Sequence, residues 1–375
     1  MKSLMVLLWL FCYTIEAKAQ DENEYRETDR TALDIPAAQT GTTEDIASYI
    51  NKHFDADNKK VRAIYVWVAA NIKYDSDSLH RIILNEDREK LITTALKRRR
   101  GVCENFASIF NDICAKSGLR SFVIEGYTRQ NGSVDRSTHA WCAAFIDKKW
   151  FLYDPTWDAD NISRGRYSEP LRTNYFQISP SDFIHSHMPF DPMFQFLDYP
   201  ISYNDFNRGN TQMNTRSPYF NFINSIYVYE KLDPLYKYLG AVSRIEKNGT
   251  PDAKVNTKLS QLKMEIEIIY QDKDSVMYNG AIADYNAAIK LFNGFITYRN
   301  NDFKPSKTGS EVQATFDSIE KLISSARSKL EEVNQSKAIL TLNTSGVGNA
   351  LDTLSAHFKE QKVFLKNYES SAKEK

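Results

Sequence analysis

Apolar positions along this chain change their spacing more than once. Ile46, Tyr49, Ile50 and Phe54 recur at steps of three and four. So do Val61, Ile64, Tyr65, Trp67, Val68 and Ile72. Both runs predict helices with an apolar face. Thr42 or Thr43 supplies an N-cap for the first, with Glu44 and Asp45 in the turn where the helix dipole favours carboxylates. A further short helix is expected to end in the cationic run Lys97 to Arg100. From Cys103, the positions Phe106, Ile109, Phe110, Ile113 and Cys114 describe another helix, stopped by Gly118.

After Gly118 the period shortens. Residues 120–127, 138–147 and 149–154 are short aromatic and β-branched runs, with Asn131-Gly132 and Asp147-Lys148 as turns. Helices followed by an antiparallel sheet predict an α+β domain. Residues 176–206 are aromatic and proline-rich with little periodicity, expected to wrap the core and to end in an Asn/Gly/Thr-rich linker over 207–215. From about Ser217 the pattern is helical throughout. Phe316, Ile319, Ile323, Ala326, Leu330 and Val333 form a heptad-like seam. Val255, Leu259, Leu262 and Ile266 form another stripe, as do Leu351, Leu354 and Phe358. Gly249-Thr250-Pro251, Lys304-Pro305 and Gly346 to Gly348 punctuate the run, predicting an antiparallel all-α bundle.

The expected organisation is therefore a flexible polar segment over 20–41, an α+β domain over 42–210 and a helical domain over 216–375. Residues 1–19 carry the pattern of an export signal. Lys2 provides the positive start, Leu4 to Tyr13 the short apolar core, and Ala17-Lys18-Ala19 the cleavage site. That apolar run falls short of the roughly 20 residues a spanning helix needs, so membrane insertion is not expected. Bulky Phe11 precedes Cys12 where lipid attachment needs a small residue. Cleavage after Ala19 and a periplasmic or secreted destination follow.

Composition narrows the function. Lys plus Arg equals Asp plus Glu at 48 each, which gives no electrostatic reason to bind nucleic acid. Loss of the signal leaves Cys103, Cys114 and Cys142. Cys103 and Cys114 lie about 16 Å apart along one expected helix and cannot pair. Cys114 and Cys142 read as buried apolar thiols.

Candidate chemistry concentrates in Cys103, His139 and Asp154. A cysteine at a helix start is favoured as thiolate, and the preceding Arg98 to Arg100 offers positive potential. His139 begins one strand-like run and Asp154 closes the next, so a nucleophile, a base and an orienting carboxylate come within reach. Each residue also has a structural explanation: a helix-start cysteine, a part-buried histidine, a strand-ending aspartate.

Four segments carry a resemblance. Ala63 to Asp75 resembles the helix that opens the transglutaminase-like core. Gly101 to Ala107 resembles its nucleophile motif, Thr138-His139-Ala140-Trp141 its histidine motif, and Trp150 to Trp157 its Asp-Pro-Thr-Trp motif. They stand in family order across residues 45–160. Residues 180–206, with His187-Met188-Pro189 and Asp191-Pro192, further resemble a bacterial subgroup similar to the kyphoscoliosis peptidase. The resemblance implies a papain-like fold acting on amide bonds of a protein or peptide, by hydrolysis or by acyl transfer to an amine. Cys103 would be the nucleophile, His139 the base and then acid, and Asp154 the orienter. The Cys103 backbone N–H would line the oxyanion hole, with Tyr74 as the second donor or simply a core tyrosine. Two departures stand out: Glu104-Asn105 follows the cysteine, and Cys142 takes a position where relatives carry Asn.

No cofactor is expected. His185-Ser186-His187 lacks the further ligands of a zinc site, and Asp158-Ala159-Asp160 fails the calcium-loop pattern. Hydrolysis is favoured over crosslinking, because water is abundant outside the cytoplasm. Two other readings compete with an enzyme: a non-catalytic binding or assembly module that keeps the fold, and a protein whose helical domain docks a partner while the core supports it.

Overall fold

The computed structural model describes residues 25–78, 87–164, 171, 173–249, 252–336, 338 and 342–373. The expected export signal lies outside these residues. Helices α1 (Arg26–Leu33), α2 (Thr43–His53), α3 (Asp57–Asn71), α4 (Arg88–Arg98) and α5 (Cys103–Lys116) precede a sheet of strands β3 (Ser121–Gln130), β4 (Ser133–Ile146), β5 (Lys149–Tyr153) and β6 (His187–Pro189). A two-residue parallel pair, β1 (Lys73–Tyr74) with β2 (Arg100–Gly101), stands apart from it. The main sheet runs β5-β4-β3-β6 with antiparallel pairing throughout. This is the expected α+β core.

Alternation along β4 shows why the sheet forms where it does. Ala140, Cys142, Ala144 and Ile146 join the core made with α2, α3 and α5. Trp141 and Ala143 face the other way, into a second core with Trp150, Phe183, Met193 and Phe196. Both faces are covered, which requires apolar residues on both sides of the strand. Helix α3 is central. Residues Val61 to Ala69 are all buried, so the segment is apolar all round rather than on one face. Buried Arg62 is the exception, and two hydrogen bonds of 2.6 and 2.7 Å to Asp29 offset its desolvation.

That pair corrects the expectation of a flexible segment over 20–41. From Arg26 to Leu33 the chain is helical, with Thr28, Asp29 and Ala32 buried. Arg62 reaches Thr173 as well, and its guanidinium lies over the rings of Tyr25 and Phe176. The segment is polar because it supplies the countercharge.

Compact packing does not divide the chain at the 207–215 linker. One unit extends to Asp233 and resumes over Gly240–Leu259; the other comprises Pro234–Leu239 and Ser260–Lys375. The helix Phe222–Lys231 belongs to the first because Ile226 is buried in the sheet's second core, with Phe222 and Tyr229 against it. Arg120 and Glu230 pair at 2.9 Å, as do Arg244 and Asp191 at 2.7 Å.

The second unit is all α. Within it, Ala281, Ala288 and Phe295 of the helix Ala253–Asn300 pack with Phe316, Ile319, Ile323, Ala326 and Leu330 of Gly309–Gln335. Leu351, Leu354 and Phe358 of Thr344–Lys373 complete that core. The pairs Lys329–Asp284 and Phe295–Phe316 run in opposite sequence directions, as do Arg327–Asp352 and Phe316–Phe358, so successive helices are antiparallel. The stripes of Gly309–Gln335 and Thr344–Lys373 are that core, with Val333 only half-buried, whereas the expected stripe at Val255, Leu259, Leu262 and Ile266 lies outside it, with Leu259 and Ile266 half-buried. Among the described residues no helix is long and apolar enough to cross a membrane.

Candidate active site

Cys103 is the first residue of α5. Gly101 permits this start, because a Cβ there would meet the Asn105 side chain at 2.5 Å. Asn105 in turn accepts from the Val102 N–H at 2.8 Å and donates to the Leu91 carbonyl at 3.3 Å. The unusual residue after the cysteine is thus a helix-start clamp.

The loop before Cys103 is tied to the end of α3. Lys73 N–H donates to Arg99 O and Asp75 N–H to Gly101 O, each at 2.9 Å. Arg98 and Arg100 each pair with Asp75 at 3.0 Å, and the Asp75 side chain is 2% exposed. Arg99 donates to Thr40 and lies over Trp67. The expected positive potential at Cys103 is therefore largely matched by Asp75. These links pair Tyr74 with Gly101 in register and leave the tyrosine 39% exposed. Burial, then the charges of Cys103 and Asp154, raise the Tyr74 phenol above its ordinary value, so it remains a proton donor.

His139 lies on β4 opposite Gly126 of β3. Its Nε2–H donates to Asp154 Oδ2 at 2.7 Å. The Nδ1 atom is left for another partner, and the neighbouring Cys103 side chain favours the protonated ring. Burial lowers the imidazole pKa, but the Asp154 charge and hydrogen bond outweigh it and, with Cys103, raise it to about 10.

Asp154 immediately follows β5 and starts a helix that sequence periodicity did not indicate, α6 (Pro155–Arg164). Proline at its first position was the available signal. Asp154 Oδ1 accepts from Thr156 N–H at 2.9 Å and Trp157 N–H at 3.3 Å, an N-cap arrangement. The carboxylate is wholly buried. Burial raises its pKa, but His139 and then His187 carry it well below the usual carboxylate range. Tyr65 of α3 brings its hydroxyl to Asp154 O at 2.9 Å and Asp158 Oδ2 at 2.6 Å, fixing α6 against α3.

His187 is the residue that sequence reasoning missed. The sequence places it in a His-x-His pair and in the His187-Met188-Pro189 motif without a catalytic role, and the structure separates the two histidines. His185 Nδ1 faces Thr211 Oγ1 at 2.6 Å, whereas His187 Nε2 donates to Asp154 Oδ2 at 3.2 Å. No local pattern marks this contact, because β6 reaches it by pairing with β3. His139, Asp154 and His187 do place ligand-type atoms within 4.8 Å of one another. Tetrahedral zinc holds its N and O ligands about 3.3 Å apart. The 2.7 Å contact between His139 and Asp154 is shorter, the length of a hydrogen bond with the proton between them. Cys114 and Cys142 are free and buried as expected, and the Cys142 thiol donates to Ala107 O at 3.3 Å.

Residues 44–155 match the Transglutaminase-like superfamily. The kyphoscoliosis peptidase of Mus musculus is 24% identical over 217 residues, covering 56% of this chain and 32% of that protein. Hillarin of Drosophila melanogaster is 23% identical over 209 residues, covering 50% and 24% respectively. The chain thus spans at most about a third of the length of these relatives. Among solved structures, the periplasmic domain of TgpA from Pseudomonas aeruginosa is similar at a TM-score of 0.27 and 17% identity, covering 37% of this chain and 51% of that one. Residues 44–155 of this chain therefore form a domain of the transglutaminase-like superfamily.

Proposed function

We propose that this protein is an exported cysteine-dependent enzyme that acts on amide bonds of a protein or peptide. The observation that carries the reading is the 2.7 Å bond from His139 Nε2 to buried Asp154. Asp154 holds the imidazole with Nδ1 toward the sulfur and stabilises the imidazolium. The Cys103 thiolate attacks the amide carbonyl carbon, and the oxygen takes the negative charge. The Cys103 N–H, which has no intrahelical acceptor at a helix start, and the Tyr74 hydroxyl donate to that oxygen. Collapse breaks the C–N bond as His139 Nδ1 gives its proton to the leaving amine. Water then loses a proton to His139 and attacks the thioester, and the C–S bond breaks to restore the thiolate–imidazolium pair. An amine in place of water gives transfer by the same steps. The peptidase name of a relative is consistent with hydrolysis.

The test uses the mature chain and iodoacetamide over a range of pH, with wild type, Cys103→Ala and His139→Ala compared. Selective Cys103 alkylation below neutral pH that disappears without His139 is the expected result. Peptide libraries read by mass spectrometry, with and without a primary amine, then separate hydrolysis from transfer. A Cys103 that reacts like an ordinary thiol, indifferent to His139, favours the non-catalytic module instead.

A further inference from the structure

Asp154 receives one more donor than orienting a single imidazole requires. Oδ1 takes the two backbone N–H groups of α6, and Oδ2 takes both His139 and His187. A carboxylate offers about four acceptor sites, so all are filled. We propose that His187 is a positioning residue: it fixes the Asp154 carboxylate and, through it, the direction in which His139 presents Nδ1. The inference rests on the catalytic reading of Cys103, His139 and Asp154.

His187 is enclosed rather than poised to meet substrate. It is 1% exposed, stacked on Phe183 at 3.9 Å between ring centres, with Trp157 at 4.4 Å and Trp141 at 5.1 Å. Ser186 Oγ lies 2.7 Å from its Nδ1. In the neutral ring that nitrogen accepts from the serine, which leaves the single N–H on Nε2, facing Asp154. The charged and titratable groups acting on it are Asp154, His139 and Asp135; burial, with the His139 charge, outweighs the two carboxylates and lowers its pKa to about 4. The ring therefore donates as a neutral group. A second cation on Oδ2 would oppose protonation of His139; a neutral donor orients the carboxylate without that penalty.

Rotation of Asp154 about its terminal torsion is the motion at stake. That torsion is broad in carboxylates, and the α6 cap holds only Oδ1. Moving Oδ2 swings the His139 ring with it. The fold delivers the restraint through the sheet edge: His187 pairs with Thr128 of β3 while Gly126, opposite His139, accepts the close approach of Met188 and Pro189.

Three variants of the full mature chain test this: His187→Leu, His187→Gln and Ser186→Ala. The readout is the Cys103 iodoacetamide rate against pH, with melting temperature as the folding control. His187→Leu should slow alkylation near neutral pH by about 10- to 100-fold, the penalty of a displaced reacting group. It should also move the alkaline limb upward, because Asp154 then concentrates its charge on His139. His187→Gln, which retains an N–H donor, should recover most of the rate, and Ser186→Ala should fall between. A folded His187→Leu variant with wild-type rate and limb overturns the inference. So does a folded Gln variant as slow as Leu. If wild-type Cys103 itself ignores His139, the catalytic reading has failed, and the His139 Nε2–H proton resonance decides the positioning. A shift on His187→Leu sustains the His187 restraint, and an unmoved resonance removes it.

Discussion

Replacing Asp154 by Asn separates the chemistry of the site from its architecture. The carboxylate accepts two backbone N–H groups on Oδ1 and two imidazole N–H groups on Oδ2. Asparagine has the same shape but one acceptor oxygen and one NH2 group. With its oxygen toward Thr156 and Trp157 the α6 cap survives, and the NH2 faces both imidazoles. Both rings can accept from it if their protons move to Nδ1. For His187 that proton finds Ser186 Oγ; for His139 it points toward Cys103 and blocks proton transfer from sulfur. The fold should survive with a loss of about 1–3 kcal/mol. His139, held at about 10, should return toward the ordinary imidazole value of about 6.5, which withdraws at most about 5 kcal/mol from the imidazolium. Alkylation of Cys103 by iodoacetamide, followed by mass spectrometry between about pH 5 and pH 10, reads this directly. The rate near pH 6 should fall by roughly 10³-fold or more, as for a triad left in the wrong tautomer. An Asp154→Asn protein that melts normally and alkylates at the wild-type rate would refute the reasoning.

Other expectations follow from individual contacts. Tyr74→Phe should lower kcat by about 10²-fold with KM unchanged, the loss of one oxyanion donor; an unchanged kcat assigns Tyr74 to packing alone. Gly126→Ala should cost about 2–4 kcal/mol by thermal denaturation, since its Cβ would lie 2.1 Å from Met188 O, and an unchanged melting temperature would contradict the β3–β6 register. Asp29→Ala leaves the Arg62 guanidinium buried without its countercharge and should cost about 3–5 kcal/mol in urea denaturation; a loss under about 1 kcal/mol would mean α1 is not part of the core. His187 should make stability fall as pH drops from about 6.5 to about 4. Its folded pKa of about 4 lies below the unfolded value, so the unfolded chain binds more protons in that window. His139 contributes fully there and Asp154 loses its contribution only at lower pH. A folded His187→Gln variant with the same slope would exclude His187 as its source.

The sequence legibly carried everything set by local periodicity and local chemistry. The helices at 43–53, 57–71 and 103–116 appear where apolar spacing and the Thr42 cap place them, because burying a stripe at 3.6 residues per turn leaves a signature within one segment. The bundle stripes are legible for the same reason. Cys103, His139 and Asp154 stand out because each falls inside a motif; Cys103 and Asp154 also sit at element ends, whereas His139 lies mid-strand in β4 rather than at the strand start its run suggests. What required the tertiary structure is whatever depends on residues far apart in sequence. Asp29 serves Arg62 across 33 positions, and His187 reaches Asp154 across another 33. A charged lead-in reads as solvated until its countercharge is seen, and a histidine in an aperiodic aromatic stretch carries no mark of the carboxylate it meets. Sequence alone determined the type of fold and nominated a nucleophile, a base and an orienting acid. Tertiary structure decided how Asp154 is held, because a carboxylate has four acceptor sites and only the folded chain supplies the donors from two strands and a helix start.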